Sequence, residues 1–368
     1  MTMARRVNGI SFSRAAQQRN GNRNSRPTFN SFWGGMMSYR QSVHWIKPSV
    51  VLAISALILG IFHKPGAGAD SVRVAYTSPS ATQGTLWVAD VGGLFKRNGL
   101  DVQVIYTRLA IESLVAGEID FGQMTGSLMS SARLQGTDPV MLAGVEDVLT
   151  DRLIARPNFK SIEELRGKRI GIFRFGAASH LRVLNILPRY RMTDRDVTFL
   201  QIGDTPARLI ALFGGSIDAT LASPPDHLEA VRAGMRVLLN LAELKIAYQG
   251  AGLVTTQRVL TRKRDVARRF VKAYVEAIHM VKTNPEVSKR AYAKYRKAKD
   301  EKEVEGAYET LREVVKAKPY PSVEGFKTIL ADLSERVPAA KTANPKDFID
   351  VSLLEELDRS GFIDALYR

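Results

Sequence analysis

A short pattern that occurs twice constrains the fold of this 368-residue chain more than any other feature. The segment Leu114–Phe121 reads LVAGEIDF and the segment Leu212–Ala219 reads LFGGSIDA, with the glycines Gly117 and Gly215 98 positions apart. In each copy an apolar helical stretch ends at a glycine, the residue that most readily adopts the left-handed conformation after a helix. A short Ile-Asp strand follows in both. The repeat therefore predicts two similar halves.

Similar strands also precede the two copies. Val72–Tyr76 and Asp101–Ile105 lie upstream of the first copy, and Arg169–Phe173 and Asp196–Leu200 lie upstream of the second. Each half reads strand–loop–helix–strand–helix–strand, which is typical of a parallel sheet with crossover helices. We therefore predict an α/β fold with two similar lobes and a ligand between them.

The C-terminal third of the sequence is predicted to be helical from about residue 259. Phe270, Tyr274, Ile278 and Val281 recur at the spacing of one helical face, with charged residues between them. Such a stripe of apolar and aromatic residues indicates packing against a core.

The charge of the chain is concentrated at its N-terminus. The sequence has 53 Lys and Arg against 37 Asp and Glu, a net charge of +16. Nine of the basic residues precede Asp70, the first acidic residue, which leaves 44 basic and 37 acidic residues in the remainder. Those basic residues alternate with acids and form no stripe, so we expect no nucleic-acid partner.

The N-terminal region resembles an export signal. An apolar run at 50–62 follows Arg40 and Lys47 and precedes the small residues Ala67–Ala69. The run is shorter than the roughly 20 apolar residues that span a bilayer. We therefore expect residues 1–69 to form a disordered n-region and a signal peptide with cleavage near 69/70, which places the mature protein in the periplasm.

Two alternatives remain open for this region. An uncleaved signal would anchor the protein to the membrane and would make it a membrane-anchored ligand-sensing module. Translation from Met36 or Met37 would give the signal an ordinary length.

The sequence offers no recognisable catalytic constellation. It contains no cysteine, which excludes thiolate catalysis and thiolate metal sites. His180, His227 and His279 lack the spacing of a metal site, and no G-x-S-x-G nucleophile motif occurs. We therefore predict no catalytic residue, no metal site and no cofactor.

Four loops of small and polar residues follow predicted strands. Ligands of parallel sheets bind beyond the carboxyl ends of the strands, where helix N-termini present N–H groups and a positive dipole end. Small side chains there let a ligand approach the backbone closely. The predicted ligand-binding residues are Ser78, Gln83, Gly126, Ser127, Phe175, Gly176, Ala177, Ser179, Ser223 and Asp226.

Several short stretches, in a fixed order along the mature chain, carry a family resemblance. They are Leu86–Ala89, Gly93–Phe95, Gly99–Val102, Gly117–Phe121, Ser161–Lys168, Phe175–Ser179 and Ala222–Pro225. Through them the chain resembles the nitrate/sulfonate/taurine-type periplasmic substrate-binding proteins of ABC transporters.

The resemblance implies a type II periplasmic-binding-protein fold, in which two lobes of βαβ units are joined by a hinge and the C-terminal helices pack on lobe 1. Lobe 1 would comprise 70–150 and 247–368, and lobe 2 would comprise 151–246. It also implies a monomer that captures a small organic or anionic solute and delivers it to an ABC transporter permease.

Two further implications of the resemblance concern the ligand and an enzyme branch. Among the arginines, Arg108 and Arg174 are the nearest candidates for contact with an anion, and the sequence shows no arginine cluster. A related branch synthesises a thiamine precursor on the same fold and uses a cysteine-rich motif, which this chain lacks.

Overall fold

The computed structural model describes residues 69–298 and 300–368. The predicted n-region, the signal peptide with its cleavage position and the alternative start sites lie outside these residues. The strands are β1 (Asp70–Tyr76), β2 (Leu100–Tyr106), β3 (Phe121–Thr125), β4 (Pro139–Gly144), β5 (Arg152–Ala155), β6 (Arg169–Ile172), β7 (Thr198–Gln201), β8 (Ala219–Ala222), β9 (Arg236–Asn240) and β10 (Ala251–Thr256).

Helices connect these strands and make up the C-terminal part of the chain. They are α1 (Gly84–Val91), α2 (Leu94–Arg97), α3 (Ala110–Ala116), α4 (Gly126–Arg133), α5 (Ala178–Ile186), α6 (Thr205–Phe213), α7 (Asp226–Arg232), α8 (Gln257–Arg262), α9 (Arg264–Thr283), α10 (Pro285–Arg296), α11 (Glu301–Val314), α12 (Val323–Ser334), α13 (Ser352–Arg359) and α14 (Phe362–Leu366). In the part of the chain that the structure describes, none of these helices combines the length and the apolar character needed to cross a membrane.

The strands form two five-stranded sheets with the same topology. The first has the order β2-β1-β3-β10-β4 and the second the order β7-β6-β8-β5-β9. In each sheet the first three strands are parallel, and the fourth runs antiparallel to both of its neighbours. The chain enters each of these fourth strands directly from the other sheet, because β5 follows β4 in sequence and β10 follows β9. We refer to each sheet with its helices as a lobe; the exact lobe boundaries stay a prediction.

The repeated sequence pattern occupies equivalent places in the two lobes. Gly117 and Gly215 both follow a helix and both have positive φ, at 81° and 72°. Asp120 accepts a hydrogen bond from the backbone N of Arg73 at 3.1 Å, and Asp218 accepts one from the backbone N of Arg169 at 2.9 Å. Each aspartate lies directly before the third strand in order of its sheet and therefore ties the beginning of that strand to the neighbouring strand, β1 or β6.

Two crossover segments, 145–151 and 241–250, connect the lobes. Their backbones pair in antiparallel fashion, with hydrogen bonds from Leu149 N to Ile246 O at 3.1 Å and from Gly250 N to Glu146 O at 2.8 Å. Paired backbones hold the two crossings side by side, which lets them act together as a hinge.

The C-terminal helices pack on the first lobe, as predicted. Phe270, Tyr274, Ile278 and Val281 of α9 are fully buried in the core beneath the first sheet. Helix α12 in addition contacts α4 of the first lobe and α5 of the second. One tie across this contact is the hydrogen bond from Asn185 Nδ2 to Asp332 Oδ1 at 3.0 Å.

Candidate functional site

A cavity with about 650 Å³ of empty space lies between the two lobes, beside the crossover segments. The first lobe lines it with neutral side chains: Thr77, Ser78, Ser80, Thr82, Gln83, Thr125 and Leu128. The second lobe contributes Phe173, Ala177, Ala178, Ser179, Arg182, Asp204, Thr205, Arg208, Leu221 and Ser223. Glu146 and Asp151 come from the first crossover segment.

Four helices begin at this cavity. The residues that precede or cap α1, α4, α5 and α6 are Gln83, Thr125, Ala177 and Asp204, and all four line the cavity. The first turn of a helix carries free N–H groups and the positive end of the helix dipole. These helix ends offer hydrogen-bond donors to a ligand, although the carboxylates of Glu146, Asp151 and Asp204 also line the cavity.

Five of the ten predicted ligand-binding residues line the cavity: Ser78, Gln83, Ala177, Ser179 and Ser223. Ser179 Oγ accepts a hydrogen bond from Phe173 N at 2.7 Å, and Ser223 Oγ donates one to Asp151 Oδ1 at 2.7 Å. These two hydroxyls therefore already have partners that fix the shape of the cavity wall.

The structure places Gly126 and Ser127 behind the wall of the cavity. A Cβ atom on Gly126 would come within 2.8 Å of Gln249 O, so glycine is needed there for the close approach of the second crossover segment. Ser127 is fully buried, and its Oγ atom lies 3.2 Å from Thr125 Oγ1. Their role in ligand contact stays a prediction.

The other three predicted residues also lie outside the lining. Phe175 is 55% exposed. Gly176 O accepts a hydrogen bond from Ser131 Oγ of the first lobe at 3.1 Å. Asp226 is buried against Arg296 of α10, at 2.8 Å between Oδ1 and Nη2. Gly176 and Asp226 thus join the lobes to each other in the structure.

Arg208 supplies a buried positive charge at the cavity. Its side chain donates hydrogen bonds to Thr205 Oγ1 at 3.0 Å and to Leu221 O at 3.1 Å, both of them neutral acceptors. Its Nε atom has no hydrogen-bond partner, and no carboxylate oxygen of the described residues hydrogen-bonds to Arg208, although the charges of Asp151, Asp204 and Asp226 act on it from nearby. Burial lowers the pKa of Arg208 to about 10, so the guanidinium is charged at neutral pH.

The Arg182 guanidinium, in contrast to that of Arg208, lies beside two carboxylates of the first crossover segment. Its Nη1 atom donates to Asp151, and its Nη2 atom lies 3.6 Å from Glu146 Oε2. Burial raises the pKa of Glu146, and Arg182 opposes that rise. Burial would also raise the pKa of Asp151, but Arg182 and the Ser223 hydroxyl lower it overall.

The two lobes touch on both sides of the cavity. On one side, Asp204 at the start of α6 accepts hydrogen bonds from Tyr106 and, at 3.3 Å, from Arg108 of the first lobe. On another, Arg296 of the first lobe binds Asp226 of the second. These contacts close the lobes around the cavity.

The arginines that line the cavity are not the two that the sequence suggested for contact with an anion. Arg108 pairs with Asp204 and Arg174 pairs with Glu112, and neither lines the cavity. Arg182 and Arg208 line it instead. Both arginines lie in the middle of helices, whereas the sequence reasoning considered loops. A signal was present, because Arg208 falls on the same helical face as Leu212.

His180 is buried next to the cavity wall, where it contacts other residues of the second lobe. It is 2% exposed, its Nδ1 atom accepts a hydrogen bond from Gly176 N at 3.1 Å, and its ring packs edge-on against Phe199. Burial lowers its pKa to about 4. Within residues 69–298 and 300–368, no group of three or more His, Asp or Glu side chains is placed to hold a metal ion.

Two comparisons at the sequence level bear on this site. The family model described as NMT1/THI5 like matches residues 82–288, which is more than half of the chain. A Brucella abortus protein that is provisionally named a binding protein is 25% identical over 292 residues, which cover 75% of this chain and 89% of that protein.

Solved structures with the same fold extend the comparison. A Bordetella bronchiseptica protein has a TM-score of 0.69 at 19% identity, over 79% of this chain and 97% of that one. The alkanesulfonate-binding protein SsuA from Xanthomonas axonopodis, bound to MOPS, has a TM-score of 0.62 at 20% identity, over 75% and 96%. The desulfurization enzyme DszB has a TM-score of 0.58 at 14% identity, over 79% and 99%. The predicted binding-protein fold is confirmed, and that fold also occurs in an enzyme.

Proposed function

Because the chain belongs to the NMT1/THI5-like family, we propose that it is the solute-binding component of an ABC uptake transporter. It captures a small solute between its two lobes and delivers that solute to a membrane permease. The cavity between the lobes supports this most strongly, because four helix N-termini surround it and the Arg208 charge lies in its wall.

The solute carries an acidic group. A buried guanidinium is costly unless an anion pairs with it, and the hydrogen bonds of Arg208 go to neutral acceptors, with Asp151, Asp204 and Asp226 acting on it only as nearby charges. A carboxylate or sulfonate at this position would make charge-assisted hydrogen bonds, which are about twice as strong as neutral ones. The N-terminus of α5 adds a favourable field from the same lobe, whereas Asp204 caps that of α6.

Capture works by closure of the lobes at the crossover segments. In the closed arrangement, Tyr106 and Arg108 reach Asp204, and Arg296 reaches Asp226. Those contacts break when the hinge opens and admits solute. Binding between the lobes therefore shifts the open–closed equilibrium toward closure, in proportion to the difference in affinity of the two states.

The protein works outside the cytoplasm as a monomer, with the permease and the solute as its partners and no nucleic acid. Support comes from its likeness to SsuA and from the export signal expected in residues 1–69. N-terminal sequencing of the protein recovered from the periplasm tests this. A mature N-terminus near residue 70 supports it, and an intact N-terminus favours the membrane-anchored sensing module.

The protein binds its solute without chemical conversion. The absence of cysteine separates it from the cysteine-dependent thiamine-precursor branch of the family. The cavity hydroxyl of Ser179 accepts a hydrogen bond from Phe173 N, and that of Ser223 donates one to Asp151, so both have partners within the protein.

A thermal-shift screen of small carboxylates, sulfonates, neutral amides and amines tests the proposal. We expect saturable stabilisation by one or more acids, following RT ln(1 + [L]/Kd), with the acid recovered unchanged after incubation. Stabilisation by neutral compounds or amines alone would contradict an acidic solute. Conversion of the stabilising acid into a product, detected by mass spectrometry, would contradict a binding protein.

A further inference from the structure

The first-lobe wall of the cavity contains acceptor atoms that the protein leaves without donors. Gln83 is 2% exposed, and its Oε1 atom has no hydrogen-bond partner among the described residues. Ser78 Oγ, also in the lining, is buried and unpartnered as well. A buried polar atom without a partner costs free energy, which the protein recovers only if something else supplies the hydrogen bond.

A second buried glutamine on the same lobe serves as a comparison, because it does not line the cavity. Gln123 on β3 is fully buried, like Gln83. Its Nε2 atom donates to Thr82 O at 3.2 Å, and its Oε1 atom accepts from Tyr274 Oη at 2.8 Å. The fold thus pairs both ends of the Gln123 amide and leaves Oε1 of Gln83, a lining residue, without a donor.

The two walls of the cavity therefore present different chemistry to one ligand. Arg208 on the second lobe offers a positive charge, and Gln83 Oε1 on the first lobe needs a donor, while the Ser78 hydroxyl beside it can donate or accept. We propose that Gln83 is a specificity-determining residue, and that the solute is a small organic acid with an O–H or N–H donor at the end opposite its acidic group. This inference rests on the proposed function and names the class of solute that the cavity selects.

The two-ended arrangement also explains how the solute would link the lobes. A bare inorganic anion satisfies Arg208 and leaves Gln83 Oε1 unpartnered. A solute with a donor at its far end contacts both lobes at once, so it gains hydrogen bonds that form only on closure.

Matched pairs of acids test the preference directly. We would measure the affinities of 3-hydroxypropanoate against butanoate and of 2-hydroxyethanesulfonate against propanesulfonate, where a methyl group replaces the hydroxyl. We expect the hydroxylated member to bind about tenfold more tightly to the wild-type chain, since a buried hydrogen bond is at stake. Gln83→Met should remove that preference and leave butanoate and propanesulfonate bound at least as tightly as before.

A ligand-free measurement decides the point even where none of the four acids binds. Gln123→Met breaks two hydrogen bonds and should lower the melting temperature by several degrees. Gln83→Met removes an amide whose oxygen accepts no hydrogen bond, so the melting temperature should rise or stay unchanged. A fall equal to that of Gln123→Met would show that Gln83 is satisfied within the protein and would overturn the inference.

The outcomes also separate this inference from the proposed function. Equal affinity within both pairs, or a preference that survives in Gln83→Met, overturns the role of Gln83 while acid binding stands. Stabilisation by neutral solutes with no response to any acid overturns the acidic solute and this inference together.

Discussion

The two lobes are built alike and yet contribute opposite chemistry to the cavity. Both sheets have the same strand order, and Gly117 and Gly215 end equivalent helices. The first lobe lines the cavity with neutral side chains, whereas the second presents Arg182, Arg208 and Asp204 beside the hydroxyls of Ser179, Thr205 and Ser223. Counted from the two repeated glycines, the position that corresponds to Arg208 is Ala110. The repeat therefore preserves the framework, while single positions within it give the two walls of the cavity different charges.

The contact at the edge of the cavity joins different positions of the two lobes. Tyr106 is the last residue of β2, whereas Asp204 caps α6, three residues after β7 ends. The two side chains hydrogen-bond to each other across the lobes and form a phenol–carboxylate pair.

The largest effect is expected at the contact between the lobes on the α10 side. Arg296→Met leaves Asp226, only 2% exposed at its side chain, buried without a counter-charge. We expect the free energy of unfolding to fall by about 3 kcal/mol. Arg174→Met is the matched control, because its partner Glu112 is half exposed and the expected loss is under about 1 kcal/mol. Urea unfolding of both variants checks this, and equal losses would contradict the closed arrangement.

A smaller effect separates the two equivalent aspartates. Asp218 accepts hydrogen bonds from Arg169 N, Nε and Nη2, whereas Asp120 accepts from Arg73 N and Lys263 Nζ. We expect Asp218→Ala to cost about 2 kcal/mol and Asp120→Ala about 1 kcal/mol. Chemical denaturation measures both. No loss in either variant would show that the repeated aspartate does not hold the framework.

A pH dependence is expected from His180 of the second lobe. His180 is the third residue of α5 in the second lobe. The third residue of α1 in the first lobe is Leu86, which does not titrate. Its pKa is about 4 in the folded chain against an ordinary value of 6.5, so the unfolded chain binds the proton more readily. Its contribution is complete above pH 6.5 and is lost as the pH falls toward 4, at about 1 kcal/mol per pH unit. His180→Asn should flatten the fall in melting temperature over this range, and an unchanged slope would contradict the assignment.

The framework could be predicted from the sequence because its signals are local. The helix-ending glycines, the Ile-Asp strands and the stripe from Phe270 to Val281 each follow from neighbouring residues. The loops at the carboxyl ends of strands likewise placed Ser78 and Gln83 at the cavity, because parallel sheets bring those ends together.

The charges of the site could not be predicted in the same way. Arg182 and Arg208 lie within helices, where an arginine usually faces solvent. Their burial depends on which face of each helix meets the other lobe, and no local pattern states that. Asp226 pairs with Arg296, which lies seventy positions further along the chain. No sequence pattern near either residue therefore predicts the pair.

The most direct test of the account compares Arg208→Met with Arg156→Met in the presence of small carboxylates and sulfonates. Arg156 lies on the same lobe outside the cavity, with its side chain 42% exposed beside Asp218. We expect acids to stabilise the wild-type chain and Arg156→Met equally, and Arg208→Met to lose at least about tenfold in affinity for each of them. Unchanged acid binding in a folded Arg208→Met variant would contradict it.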